Sequence, residues 1–140
     1  MKRIRLLVLL GVVAVALPLG FSRAGAATTS AGTTDVTLST TAQYDFVGSI
    51  IHVGFKARCT GGTGQIVVTV KQYPPETPEP VGAGGFFNNV ACDGQTHTGG
   101  VTVSGLGFDP GKAWAEATLT SPGGSDTDAR WIDIRVMNGT

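Results

Sequence analysis

Residues with reactive side chains are few in this chain and widely spaced. The sequence holds two cysteines, Cys59 and Cys92, and two histidines, His52 and His97. No serine lies in a Gly-x-Ser-x-Gly elbow: Ser104 has Thr102 two positions before it, and Ser125 has Thr127 two positions after it. A serine, histidine and aspartate drawn from distant positions have no spacing that favours their meeting. Metal binding needs three or more converging ligands. His52 and His97, taken with Asp93, Asp126 and Asp128, show no short-range pattern of that kind, and Asp126-Thr127-Asp128 reads as a solvated turn. Gly82-Ala83-Gly84-Gly85 leads into Phe86-Phe87 rather than into a helix, so it too reads as a turn and not as a phosphate cradle. The sequence predicts no enzyme, no metal and no cofactor.

What remains is recognition chemistry. Trp114 and Trp131 each fall out of phase with the apolar residues around them, which sends both indoles to a polar face. If their strands form a hairpin about Pro122–Gly124, the two lie opposite or one pair diagonal, and together they offer a platform for a sugar ring or a partner's apolar patch. The same pair, covered by a loop, would be only a cross-strand contact. A second candidate is the stretch Tyr73 to Val81, with Tyr73, Pro75, Glu76, Pro78 and Glu79. Four prolines between Pro74 and Pro80 exclude it from a sheet interior and make it a stiff, extended loop suited to recognition.

The compartment follows from the leader. Lys2, Arg3 and Arg5 precede an apolar run from Leu6 to Phe21 and the small-residue pattern Ala24-Gly25-Ala26, which reads as a secretory signal peptide over 1–26. The run is shorter than the roughly 20 residues of a membrane span and is broken by Pro18 and Gly20. With neither a lipid-bearing cysteine nor an apolar tail in view, the expected product is secreted and unanchored. Without Lys2, Arg3, Arg5 and Arg23, the 10 Lys+Arg fall to six against 10 Asp+Glu, a net charge of −4. Such a domain has no electrostatic footprint for nucleic acid. Export puts both cysteines in an oxidising compartment, where a Cys59–Cys92 disulfide is the simplest expectation.

These residues must be positioned by strands. After a flexible arm over 27–34, period-two alternation runs through Ile51, Val53, Phe55, Ala57 and Cys59, then Ile66, Val68 and Val70, with Gly61 to Gly64 as the turn of a hairpin between them. Further strands are legible at 86–92, 98–104, 112–120 and 129–137, with weaker ones near 35–39 and 43–47. Asp93-Gly94, Gly105 to Gly107, Asp109-Pro110-Gly111 and Pro122-Gly123-Gly124 separate them as turns. Gly54, inside a strand, marks a bulge or a close neighbour. About seven short strands without helical periodicity predict an all-β, immunoglobulin-like antiparallel sandwich over 35–140.

Three stretches carry a family resemblance: Phe55-Lys56-Ala57-Arg58-Cys59-Thr60-Gly61-Gly62-Thr63-Gly64, Val90-Ala91-Cys92-Asp93-Gly94-Gln95-Thr96-His97, and Phe108-Asp109-Pro110-Gly111-Lys112 running into Ala115 to Leu119. In their order and spacing the chain resembles short exported actinobacterial proteins of unknown function, immunoglobulin-like domains with two cysteines. The resemblance implies fold, export and disulfide, and no site residue. The expectation is a secreted, non-enzymatic, monomeric module that contacts an extracellular protein or glycan. The alternative is a protease inhibitor using 73–81 as a poorly cleavable loop.

Overall fold

A computed structural model of the protein describes residues 32–73 and 79–137. The expected leader, most of the arm, and Pro75, Glu76 and Pro78 lie outside those residues. The described chain is all β: β1 (Asp35–Asp45), β2 (Ile50–Gln72), β3 (Val81–Ser104), β4 (Gly111–Ser121) and β5 (Gly124–Val136). They form one sheet in the order β1-β5-β4-β2-β3, and β1 also pairs with β2. That extra pairing closes β1, β5, β4 and β2 into a ring, with β3 on the outer side of β2. All pairings are antiparallel except β1 with β5, which run parallel from Thr41↔Asp133 to Tyr44↔Val136.

Five strands stand where about seven short ones were expected: two glycine-containing stretches bend the chain without reversing it, and the weak strands expected near 35–39 and 43–47 are one strand, β1. Residues 50–58 of β2 pair with β1 and with the C-terminal half of β3, whereas residues 65–71 pair with β4 and residues 65–72 with the N-terminal half of β3. The change of partners falls at register shifts between Arg58 and Gln65, where Gly61 and Gly62 take φ of 96° and 115°. Such angles are open to glycine and produce a bulged, sharply twisted strand. The expected hairpin between 51–59 and 65–73 is therefore absent: both segments pair along β3. Asp93-Gly94 is likewise a bulge within β3, with Gly94 at φ 83° and the Asp93 carboxylate accepting the Gln95 N–H at 2.9 Å. Gly82 to Gly85 is strand rather than turn, pairing with residues 68–71.

The inner face matches the alternation. Ile51, Val53, Phe55, Ala57, Ile66, Val68, Val70, Ala113, Ala115, Ala117, Leu119, Ile132 and Ile134 are all buried in one core, and Val36, Leu38, Tyr44, Val101, Val103 and Phe108 join them. Val136, at 39% exposure, does not. Cys59 and Cys92 are bonded, and both are buried. They link β2 to its neighbour β3 where the ladder between those strands slips, so the covalent bond holds a register that the hydrogen bonds leave weakly specified. Gly54 proves to have a close neighbour: a Cβ there would stand 2.6 Å from Ser39 Oγ, beside the irregular stretch of β1 between Leu38 and Ala42.

Candidate binding face

The outward residues of β3, β2, β4 and β5 share one face, and the ladders arrange them in rows. The β4–β5 hairpin turns through Pro122-Gly123, and its Ser121↔Gly124 closing pair sets Trp114 directly opposite Trp131. The indoles meet edge to face, with centroids 5.5 Å apart and planes at 73°. That geometry suits the aromatic quadrupole and contributes about 0.5–1.5 kcal/mol beyond the area buried. Trp114 is half-buried, whereas Trp131 keeps 56% of its surface exposed.

Lys71 of β2 and Gly82 of β3 continue the tryptophan row. One row along the strands lie Gly84, Thr69, Glu116 and Ala129, and the next holds Phe86, Val67, Thr118 and Thr127. Phe86 and Val67 are exposed, and Thr118 and Thr127 share a hydroxyl hydrogen bond of 3.0 Å. Beyond them, Gln65 Nε2 donates to Asn88 Oδ1 at 2.6 Å. These two residues, with Thr63, Asn89, Thr120 and Pro122, line an open polar cleft of about 500 Å³. On the other side of the tryptophans, Lys112 is paired with Asp133, which accepts from Arg135 Nε at 3.1 Å. The face thus carries an aromatic end with Lys71 beside it, a threonine-rich middle with the single charge of Glu116, and an amide-lined cleft.

The other candidates fall elsewhere. Tyr73 is exposed just after β2, and Glu79 stands just before β3; Gln72 and Val81 are paired where the two strands meet this stretch. Asp126 and Asp128 are not a solvated turn. They lie on β5, where Asp126 Oδ2 accepts the Val36 N–H at 2.8 Å and Asp128 Oδ2 accepts the Leu38 N–H at 2.7 Å. Asp128 also pairs with Arg130 at 2.7 Å. The two carboxylates thus serve as acceptors for β1 upstream of its backbone pairing with β5. His97 Nε2 contacts Asp93 Oδ1 at 2.8 Å, and this bond, with the Gln95 N–H, holds the Asp93 carboxyl below its ordinary value. His52 lies apart, in a shallow polar groove with Ser39, Thr41, Gln43, Gly54 and Gly100. Among the described residues, no three His, Cys, Asp or Glu side chains are grouped to hold a metal, and no helix is long and apolar enough to cross a membrane.

One polar residue escaped the sequence reading. Gln72, at 5% exposure, donates from Nε2 to the carbonyls of Asp109 (2.8 Å) and Lys112 (3.3 Å) and accepts the Asp109 N–H at Oε1 (2.8 Å). It pins the loop between β3 and β4 and, through it, the start of the tryptophan-bearing β4. Its only signal in the sequence is a polar side chain at the inward phase of β2.

No family model matches the chain, and no curated protein does. Among solved structures, a β-glucosidase from Listeria innocua in complex with glucose is similar at 16% identity and a TM-score of 0.45, over 74% of this chain and 16% of that one. AggA, the major subunit of aggregative adherence fimbriae type I from Escherichia coli, is similar at 10% identity and a TM-score of 0.36, over 76% of this chain and 95% of that one. The chain spans only a small part of the glycosidase.

Proposed function

We propose that this protein is a secreted, non-enzymatic binding module of the short actinobacterial type, and that the outer face of β3, β2, β4 and β5 takes an extended glycan. The observation that carries the reading is the Trp114–Trp131 pair, with one indole buttressed and the other exposed. An exposed aromatic ring gives the apolar face of a sugar a stacking partner, while Lys71, Thr69 and Glu116, which surround Trp114 on the same face, supply hydrogen bonds. From Trp114 to Thr120 at the cleft is six residues of strand, about 20 Å at a rise of about 3.3 Å per residue. A ligand that reaches both ends is a chain of several sugars rather than one ring. We also read the fold as an immunoglobulin-like sandwich in which the halves of β2 and of β3 count as separate strands. Their exchange of partners between residues 58 and 65 supports this. The disulfide departs from that pattern, since it joins neighbouring strands rather than opposed sheets.

The test is titration of the secreted protein with oligosaccharides of increasing length and with cell-wall polysaccharide. Trp131→Ala is expected to lower affinity at least tenfold with its fold intact, and affinity should rise with chain length until the cleft is reached. Equal binding by wild type and Trp131→Ala would overturn the reading. A second reading, inhibition of an extracellular protease through the loop 73–81, is supported by the Gln72↔Val81 pair, which brings the flanking strands together on either side of it. Absence of inhibition at micromolar protein against secreted serine and metalloproteases would end it.

A further inference from the structure

We propose that two copies of this chain pair edge to edge through residues 81–88 of β3, about a two-fold axis perpendicular to the sheet. Ring closure gives β1, β5 and β4 two strand neighbours each and β2 three, and among the described residues β3 is the strand with one partner only. Natural edge strands are guarded by charges, prolines or inward-pointing lysines. The segment Val81-Gly-Ala-Gly-Gly-Phe-Phe-Asn88 has none of these. It carries three glycines and two exposed phenylalanines, Phe86 at 66% and Phe87 at 39%.

The segment is complementary to itself. A two-fold axis perpendicular to the sheet keeps outward residues beside outward residues, so even positions meet even positions. With Gly84 on the axis, Phe86 of each copy stands opposite Gly82 of the other, and Phe87 opposite Val81. With Gly85 on the axis, the partners become Gly84 and Ala83. Either register lays an aromatic ring over a glycine that offers no side chain of its own. The molecule already uses this device internally: Phe55 is paired with Gly99, and a Cβ on Gly99 would stand 2.6 Å from the Phe55 ring. Such a ring shields glycine backbone and supplies the packing that a glycine strand lacks. The segment itself carries no charge, so two copies of it meet without local repulsion, which selects a second copy over a charged partner. The contact is short, so the dimer belongs with weak, transient interfaces and assembles in the micromolar range. This departs from the monomer expected from sequence, and it joins two candidate binding faces into one continuous surface.

Sedimentation velocity of the secreted protein, from one to several hundred micromolar, tests the proposal. Wild type and Trp131→Ala should pass from monomer to dimer together, whereas Phe86→Lys should remain monomeric with its disulfide and circular dichroism unchanged. Wild type that stays monomeric throughout, or Phe86→Lys that dimerises as strongly as wild type, overturns the pairing and leaves the glycan reading standing. Should Phe86→Lys not fold, amide exchange in wild type decides: exchange at residues 81–88 should slow as concentration rises, and unchanged exchange sinks the idea.

Discussion

Asp93 and His97 form a small electrostatic lock on the bulge of β3. Hydrogen bonds from His97 and from the Gln95 N–H favour the carboxylate and lower its pKa, so the carboxyl binds its proton less readily in the folded chain than in the unfolded one. The stabilisation it gives is present above about pH 4 and lost as pH falls through the lowered value. Replacing His97 with Ala should raise the Asp93 titration midpoint toward the ordinary carboxyl range, read by carboxyl-carbon NMR, and any loss of stability should show near neutrality and vanish in acid, where the carboxyl is protonated in both states. Gln72 acts through burial instead. Gln72→Leu conserves most of the volume but leaves the Asp109 N–H and two carbonyls short of partners, at a cost of about 1–3 kcal/mol. Denaturant unfolding should show that loss, and amides of residues 105–111 should exchange faster than those of the β4–β5 hairpin.

At the scale of elements, β1 depends on side chains as much as on ladders. Its N-terminal half pairs with β2 on one side, and on the other its amides at Val36 and Leu38 are met by the carboxylates of Asp126 and Asp128. Asp128→Ala should cost about 1–3 kcal/mol and expose the Leu38 amide to exchange, whereas Asp128→Asn, which keeps an acceptor oxygen, should cost less. None of this was legible beforehand, because a short acidic cluster beside glycine has the composition of a turn. Period two did mark the inner faces at residues 51–59, 66–70, 113–119 and 132–134, since burial on one side of a strand imposes it locally. The tryptophan pairing followed from the same phase and one two-residue turn. What failed were the glycine stretches at 61–64, 82–85 and 93–94. Glycine reports that φ is free; whether the chain then reverses or merely bends is decided by neighbours far away in sequence. The parallel contact of β1 with β5 was hidden for the same reason, as it joins the two ends of the domain.

Across the whole molecule, the disulfide does what the bulged ladder cannot. Cys59 and Cys92 are 33 positions apart, so removing the bond frees a long loop in the unfolded chain and should lower stability by about 3–4 kcal/mol. A Cys59→Ser/Cys92→Ser double variant, compared with wild type in guanidinium, checks this; a loss below about 1 kcal/mol would show that the register at residues 58–65 holds without it. The closed ring bears on mechanics as well. Because β1 and β5 run side by side in the same direction, traction applied at residue 32 and residue 137 loads their hydrogen bonds in shear, so that they must fail together rather than unzip one at a time. A domain fastened in this way should resist tugging through its ends far better than its modest size suggests, a useful property for anything that grips a surface in flowing liquid.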